Sequence, residues 1–158
     1  MFTRVLIALF VFTCLVASTA GAQTPEFGTA DEAREMLQNT VAAMKADKAK
    51  TLDMINKGGG GFRDRDLYPA CSGLDGKVTA HPDQTRIGMD RNTMKDESGK
   101  PFGAEIMKVA EEGKIAKVSY MFPRPGPDNK PVPKVALVTK VGDQVCLVGY
   151  YEQAMSLK

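Results

Sequence analysis

From Ala33 onward, apolar side chains return at three- and four-residue steps: Ala33, Met36, Leu37, Val41, Met44, then Leu52 and Ile55. That period marks an amphipathic helix with one buried stripe. Thr29 precedes it, with Glu32 three places on, the pairing of a capping box. The spacing predicts one long helix over residues 30–57, about 40 Å at about 1.5 Å per residue, its stripe broken only by Lys48. Gly58-Gly59-Gly60-Gly61 stops it. Four glycines raise the idea of a phosphate loop, but no strand precedes them and no Gly-Lys-Ser/Thr follows. They read as a helix stop and hinge.

Beyond the glycines the period shortens to two. Residues 67–72 and 77–81 form two strands of a hairpin around Leu74-Asp75-Gly76, a favoured tight-turn sequence. Residues 82–100 lose periodicity, and long ordered loops of this kind tend to carry function. Residues 104–112 make a short helix, with Ile106, Val109 and Ala110 inward and Gly113 as its stop. Residues 116–122 place Val118, Tyr120 and Phe122 on one strand face. The proline-rich stretch 123–133 is expected to be a stiff, extended connection. Residues 134–140 and 144–151 close the pattern as a hairpin. The prediction is an α+β fold: a five-stranded antiparallel sheet with the long N-terminal helix and the short helix on one face.

Three features place this domain in the chain and in the cell. Arg4 stands before an apolar run over residues 5–16, and Ala20-Gly21-Ala22 fits a small-residue cleavage site. This is a signal-peptide pattern. The alternative, an uncleaved anchor, is disfavoured by length, since such a helix reaches about 18 Å against a hydrocarbon core of about 30 Å. Cys14 lacks the small-residue context of a lipoprotein signal. The expected organisation is therefore a cleaved signal peptide (1–22), a short tail (23–28), one domain (29–152) and a C-terminal tail (153–158), exported to the periplasm. No later apolar run has the length of a membrane span.

Export changes the reading of Cys71 and Cys146, which become candidates for a disulfide, the alternative being two buried free thiols. The charge balance, 21 Lys and Arg against 19 Asp and Glu, provides no footprint for nucleic acid. A single His and three Cys leave little material for a metal site. No cofactor motif is present, and none of the serines Ser72, Ser98, Ser119 and Ser156 sits in a G-x-S-x-G elbow. The carboxylate pairs Asp64/Asp66 and Glu111/Glu112 fall in turns and on a solvated helix end. No enzyme is expected.

The string Asp66-Leu67-Tyr68, Asp75-Gly76, His81-Pro82, Gly88, Asp96, Gly99-Lys100-Pro101-Phe102, Tyr120-Met121-Phe122-Pro123-Arg124-Pro125, Lys134 and Val148-Gly149-Tyr150-Tyr151 resembles a single Cache domain, type 2, over roughly residues 30–151. The resemblance implies an extracytoplasmic, PAS-like sensor domain with a pocket between the sheet and the segment joining strands two and three. It also implies recognition of small metabolites, often short organic acids. Members of that family are mostly the outer parts of chemoreceptors and sensor kinases, with membrane helices on both sides. No second span, methyl-accepting helix or kinase lies before Lys158, so the expectation is a stand-alone binding protein whose partner is a membrane receptor or transporter. The competing expectation is a structural module with a filled pocket, docking or dimerising through its long helix. Against a second apolar seam, the outer face of that helix is charged at Asp31, Glu32, Arg34, Glu35, Lys45, Asp47 and Lys50.

Seven residues are candidates for the ligand site. His81, held extended by Pro82, can donate to a ligand oxygen or serve as a structural histidine. Tyr120 and Phe122 share a strand face and offer an aromatic wall with one phenol tip. Tyr120 also matches the family's tyrosine. Lys134 opens a strand whose partners Ala136 and Val138 are apolar, so it must snorkel, pair with Asp96 or Asp66, or neutralise a bound anion. Tyr68 and Tyr150 have polar tips able to reach the same place. Met89, with Met94, can form a pliable lid. Arg124, between two prolines, reads as a solvated loop residue.

Overall fold

The computed structural model describes residues 26–124 and 129–152. The expected signal peptide (1–22), half of the expected N-terminal tail (23–28) and the expected C-terminal tail (153–158) lie outside the described residues. Helix α1 (Ala30–Ala46) starts at Thr29, whose hydroxyl accepts from the Glu32 N–H while the Glu32 carboxylate accepts from the Thr29 N–H at 2.7 Å. Its buried side is Ala33, Met36, Leu37, Thr40 and Met44; four of these were predicted, whereas Thr40 is buried in addition and the predicted Val41 is only half-buried against the core. The helix does not continue to residue 57. Asp47 is extended (φ −156°), ends α1, and caps α2 (Lys48–Lys57) by accepting the Lys50 N–H at 3.0 Å. Asp is a poor helix-interior residue and a good cap, because its carboxylate competes for nearby backbone donors. The single predicted helix is thus two helices hinged on one residue. Gly58 closes α2 in the left-handed conformation (φ 64°), which glycine adopts without a Cβ clash.

The strands are β1 (Pro69–Gly73), β2 (Val78–Ala80), β3 (Ala116–Pro123), β4 (Pro131–Val141) and β5 (Gln144–Tyr151), paired antiparallel in the order β2-β1-β5-β4-β3. The proline-rich connection is partly strand: Pro123 pairs with Pro131 and Met121 with Pro133. Those prolines lie past the β4–β5 pair Lys134–Tyr151, on a stretch of β4 with a strand neighbour on one side only, where proline is tolerated. Helix α3 (Phe102–Val109) starts two residues earlier than expected.

The sheet carries two cores. On one face α1 and α2 pack through Ala33, Leu37 and Ile55 onto Cys71, Leu137, Cys146 and Val148. On the other, α3 packs through Phe102 and Ile106 onto Val118, Ala136, Val138 and Leu147. The five-stranded antiparallel α+β architecture is as predicted, but the short helix lies across the sheet from the long ones, not beside them. The cause is visible in β4 and β5, where Val135-Ala136-Leu137-Val138 and Val145-Cys146-Leu147-Val148 are all buried. An unbroken apolar run is what a strand covered on both faces requires. Cys71 and Cys146 are directly opposed across β1 and β5 and form a disulfide beneath α1.

Candidate functional site

The sheet face that carries α3 is not filled by that helix alone. Residues 81–101 fold over its open end and leave a cavity of about 40 Å³. Its floor is Ala70, Tyr120, Lys134, Leu147 and Gly149 of the sheet. Arg86, Arg91 and Met94 come from the loop, and Phe102 opens α3. A wider cleft of about 460 Å³ adjoins it, and the two share Tyr68, His81, Arg86 and Phe122. Arg63, Arg65, Asp66, Asp83 and Tyr151 continue the outer wall. At about 10–15 Å³ per water-sized sphere, the inner cavity admits one small polar head group and nothing larger.

Lys134 dominates the electrostatics. It is 3% exposed, and its ammonium lies 3.3 Å from the Tyr68 hydroxyl and 3.4 Å from that of Tyr151. The rings of Tyr68, Phe122 and Tyr151 surround it at 4.9, 5.0 and 4.5 Å. Among the described residues it forms no ion pair with Asp66, Asp96 or any other carboxylate. Burial pushes its pKa down to about 7, an effect only partly offset by Asp66. Gly149 makes this position possible, because a Cβ there would stand 2.5 Å from Cε of Lys134.

Arg91 is a second buried cation. Its Nε donates to the Ser72 hydroxyl at 2.6 Å, its N–H holds the Gly76 carbonyl at 2.9 Å, and burial lowers its pKa to about 10. Arg86 lies over the Phe122 ring at 5.3 Å and leans on Asp83 at 3.4 Å. Three basic side chains therefore line the inner cavity, and no described acidic residue does.

The neutral groups supply directed donors. His81 accepts the Asp83 N–H on Nδ1 at 2.9 Å. A backbone amide can only donate, so the ring proton sits on Nε2. Burial, with Arg86 and Arg91, lowers the His81 pKa to about 4 and keeps the ring neutral. Asn56 of α2 fixes this wall, accepting the His81 N–H at 2.9 Å. Tyr120 stacks on Phe102 (4.2 Å, 4°), and burial raises its pKa. Asp96 holds the covering loop to β3 by accepting the Met121 N–H at 3.0 Å and the Lys100 N–H at 3.0 Å.

The structure brings together five of the seven predicted residues: Tyr68, His81, Tyr120, Phe122 and Lys134. Tyr150 is not among them. It packs against the α1 side of the sheet, because side chains alternate and it shares parity with Cys146. Its neighbour Tyr151 occupies the place assigned to it, donating to the Pro123 carbonyl at 2.6 Å. Met89 is 48% exposed and away from the cavity; Met94 lines the cavity instead. Arg124 is no solvated loop residue: its guanidinium is stacked between Phe27 (4.0 Å) and Tyr151 (4.8 Å). Sequence reasoning missed Arg86 and Arg91, whose one signal was their place in the long loop. Among the described residues no helix is long and apolar enough to cross a membrane, and no group of His, Cys, Asp and Glu is placed to hold a metal.

Solved structures share this fold. A methyl-accepting chemotaxis protein from Vibrio parahaemolyticus RIMD 2210633 superposes with a TM-score of 0.63 at 19% identity, covering 77% of this chain and 86% of its own. The periplasmic sensor domain of a chemotaxis protein matches with a TM-score of 0.59 at 22% identity, over 78% and 90%. A Cache chemosensory domain whose structure is described as a basis for carboxylic acid recognition matches with a TM-score of 0.54 at 20% identity, over 78% and 88%. No curated protein matches the chain. The family described as single Cache domain 2 matches residues 19–151, most of the sequence and all of the sheet. The chain belongs to the single Cache domain 2 family.

Proposed function

We propose that the protein is an extracytoplasmic binding domain that takes the carboxylate of a small metabolite into the inner cavity. Lys134 carries this reading. A lysine that is 3% exposed, without a carboxylate partner among the described residues and lowered to about pKa 7, is costly to the empty protein. A bound anion removes that cost. Arg91, the Tyr120 hydroxyl and the His81 Nε2–H add donors, and the aromatic rings supply the apolar wall typical of small-ligand sites. The recognition of a carboxylic acid by one structural neighbour is consistent with this chemistry. The domain is read as non-enzymatic: the one histidine is fixed as a neutral hydrogen-bond donor, its Nδ1 accepting the Asp83 N–H.

Export through residues 1–22, the single domain over 29–152 and the periplasmic location belong to the same reading, supported by the buried disulfide. Its partner is a membrane receptor or transporter that reads the liganded state. The test is calorimetry and thermal unfolding with acetate, propionate and longer carboxylates. Binding by the wild type, lost in Arg91→Ala and Lys134→Ala, supports the proposal. A flat response across the whole series sinks it.

A further inference from the structure

Asp66 is the part of the site that a plain carboxylate leaves unused. It is 6% exposed and lines the outer cleft. Its Oδ1 accepts the Gly28 N–H at 2.7 Å, whereas Oδ2 is buried with no hydrogen-bond partner among the described residues. A buried carboxylate oxygen without a donor is expensive, and native structures rarely leave one unless something else supplies the proton. Asp66 is also near enough to Lys134 to oppose the fall in its pKa. The site therefore has two poles. The inner one is cationic, at Lys134 and Arg91; the outer one is anionic, at Asp66. Between them is the waist of Tyr68, His81, Arg86 and Phe122.

The other charges at the outer wall do not pair with the acidic pole. Arg65 is engaged by Glu32 at 2.6 Å and Asp64 at 2.6 Å, and Arg86 leans on Asp83. Arg63 also lines the cleft and Arg124 lies over Phe27 and Tyr151, but among the described residues neither forms an ion pair with Asp66. The aromatic faces of Tyr68 and Tyr151 border the cleft beside Asp66, a surface that suits an alkylammonium as well as it suits Lys134.

We propose that the ligand is a small zwitterion, an amino acid or short ω-amino acid, whose carboxylate enters the inner cavity and whose ammonium donates to Asp66 Oδ2. An ammonium fits better than a hydroxyl because it satisfies the orphan oxygen and neutralises its charge in one contact. The inference rests on the carboxylate reading above and narrows it. It also fits the volumes: the inner cavity holds the carboxylate head alone, so the rest of the ligand must pass the waist into the cleft where Asp66 waits.

The experiment is calorimetric titration of the wild type with four ligands on one carbon skeleton: propionate, L-alanine, β-alanine and 3-hydroxypropionate. Asp66→Asn is titrated in parallel; its amide oxygen still serves the Gly28 N–H. A charge-assisted hydrogen bond should make one of the amino compounds bind at least about tenfold tighter than propionate. The 3-hydroxypropionate should lack this gain. In Asp66→Asn the amino advantage over propionate, read within the variant itself, should vanish; the loss of a negative charge near Lys134 shifts all four affinities together and leaves this ratio to decide. Propionate binding as tightly as both amino compounds, 3-hydroxypropionate matching the better of them, or Asp66→Asn keeping the advantage would each overturn the assignment. The wild-type comparison needs no variant, so a folding defect cannot mask the answer. If none of the four binds, the carboxylate reading itself has failed; if propionate binds and the amines gain nothing, only the zwitterion has.

Discussion

Replacing Lys134 with methionine should make the empty protein more stable, not less. The lysine pKa falls from an ordinary 10.5 to about 7 in the fold. At about 1.36 kcal/mol per unit, that displacement corresponds to a cost of order 5 kcal/mol for holding the charge in this cage. Below pH 7 both folded and unfolded chains carry the proton, so the full cost is present. As pH climbs from 7 towards 10.5, the folded chain sheds its proton first and the unfolded chain binds more. Stability must then rise, with a slope of up to about 1.4 kcal/mol per pH unit. Above 10.5 both states are neutral and the cost is gone. Methionine keeps an apolar stem against Tyr68, Phe122 and Tyr151 and removes the charge along with the two long hydrogen bonds to the Tyr68 and Tyr151 hydroxyls. Urea unfolding at pH 6, 8 and 10 should show Lys134→Met ahead of the wild type by about 2–5 kcal/mol at pH 6. The gap should narrow steadily with pH. A variant less stable than the wild type at pH 6, or a gap indifferent to pH, would show that Lys134 already has its counter-charge and that the ligand is not needed to provide one.

Two further outcomes follow from the same geometry. Gly149→Ala puts a methyl where Cε of Lys134 lies, 2.5 Å away, so the ammonium must leave its position; carboxylate affinity measured by calorimetry should drop at least about tenfold, and an unchanged value refutes the role given to Gly149. Tyr151→Phe removes the bond to the Pro123 carbonyl and should cost about 1–3 kcal/mol in urea unfolding together with ligand affinity, whereas Tyr150→Phe, on the far face of the sheet, should leave affinity unchanged. Equal effects from the two tyrosines would contradict the register.

What was legible in the sequence follows the reach of the rules that read it. The capping box at Thr29 and Glu32, the stop at Gly58 and the period of β3 are local devices, and each appears where the pattern placed it. The pairing of Cys71 with Cys146 was legible because reading residues 1–22 as a signal peptide left two cysteines to pair. Asp47 escaped because a periodic stripe continues across it: Met44 and Thr51 are seven apart and both buried, so the helix hides its break from a periodicity argument. Arg91 escaped for a different reason. Its burial depends on Ser72, on another element 19 residues away, and a loop arginine with no tertiary partner in view looks solvated. Tyr150 was a parity error the sequence could have prevented. Once Cys146 is committed to the helix side, a residue four places along the same strand is committed with it, and the site must take Tyr151.

The site and the scaffold pull against each other, and the fold shows where the tension is held. Lys134, Arg91 and Asp66 are buried charges that each weaken the empty protein. Their supports lie on elements they do not share. The disulfide ties β1 to β5 on the opposite face, one residue from Ala70 and Leu147 of the cavity floor, and closing a loop of 75 residues stabilises by about 4 kcal/mol in the chain-entropy account. Asp96 holds the covering loop to β3, and Asn56 joins His81 to α2. Because these fastenings surround the charges without neutralising them, the cavity keeps its shape while its electrostatic cost stays unrelieved. A ligand of complementary charge then gains affinity from relief of strain already present, with little ordering left to do. The same fastening ties the site to the helices: Asn56 of α2 holds the His81 wall, and Asp47 joins α2 to α1.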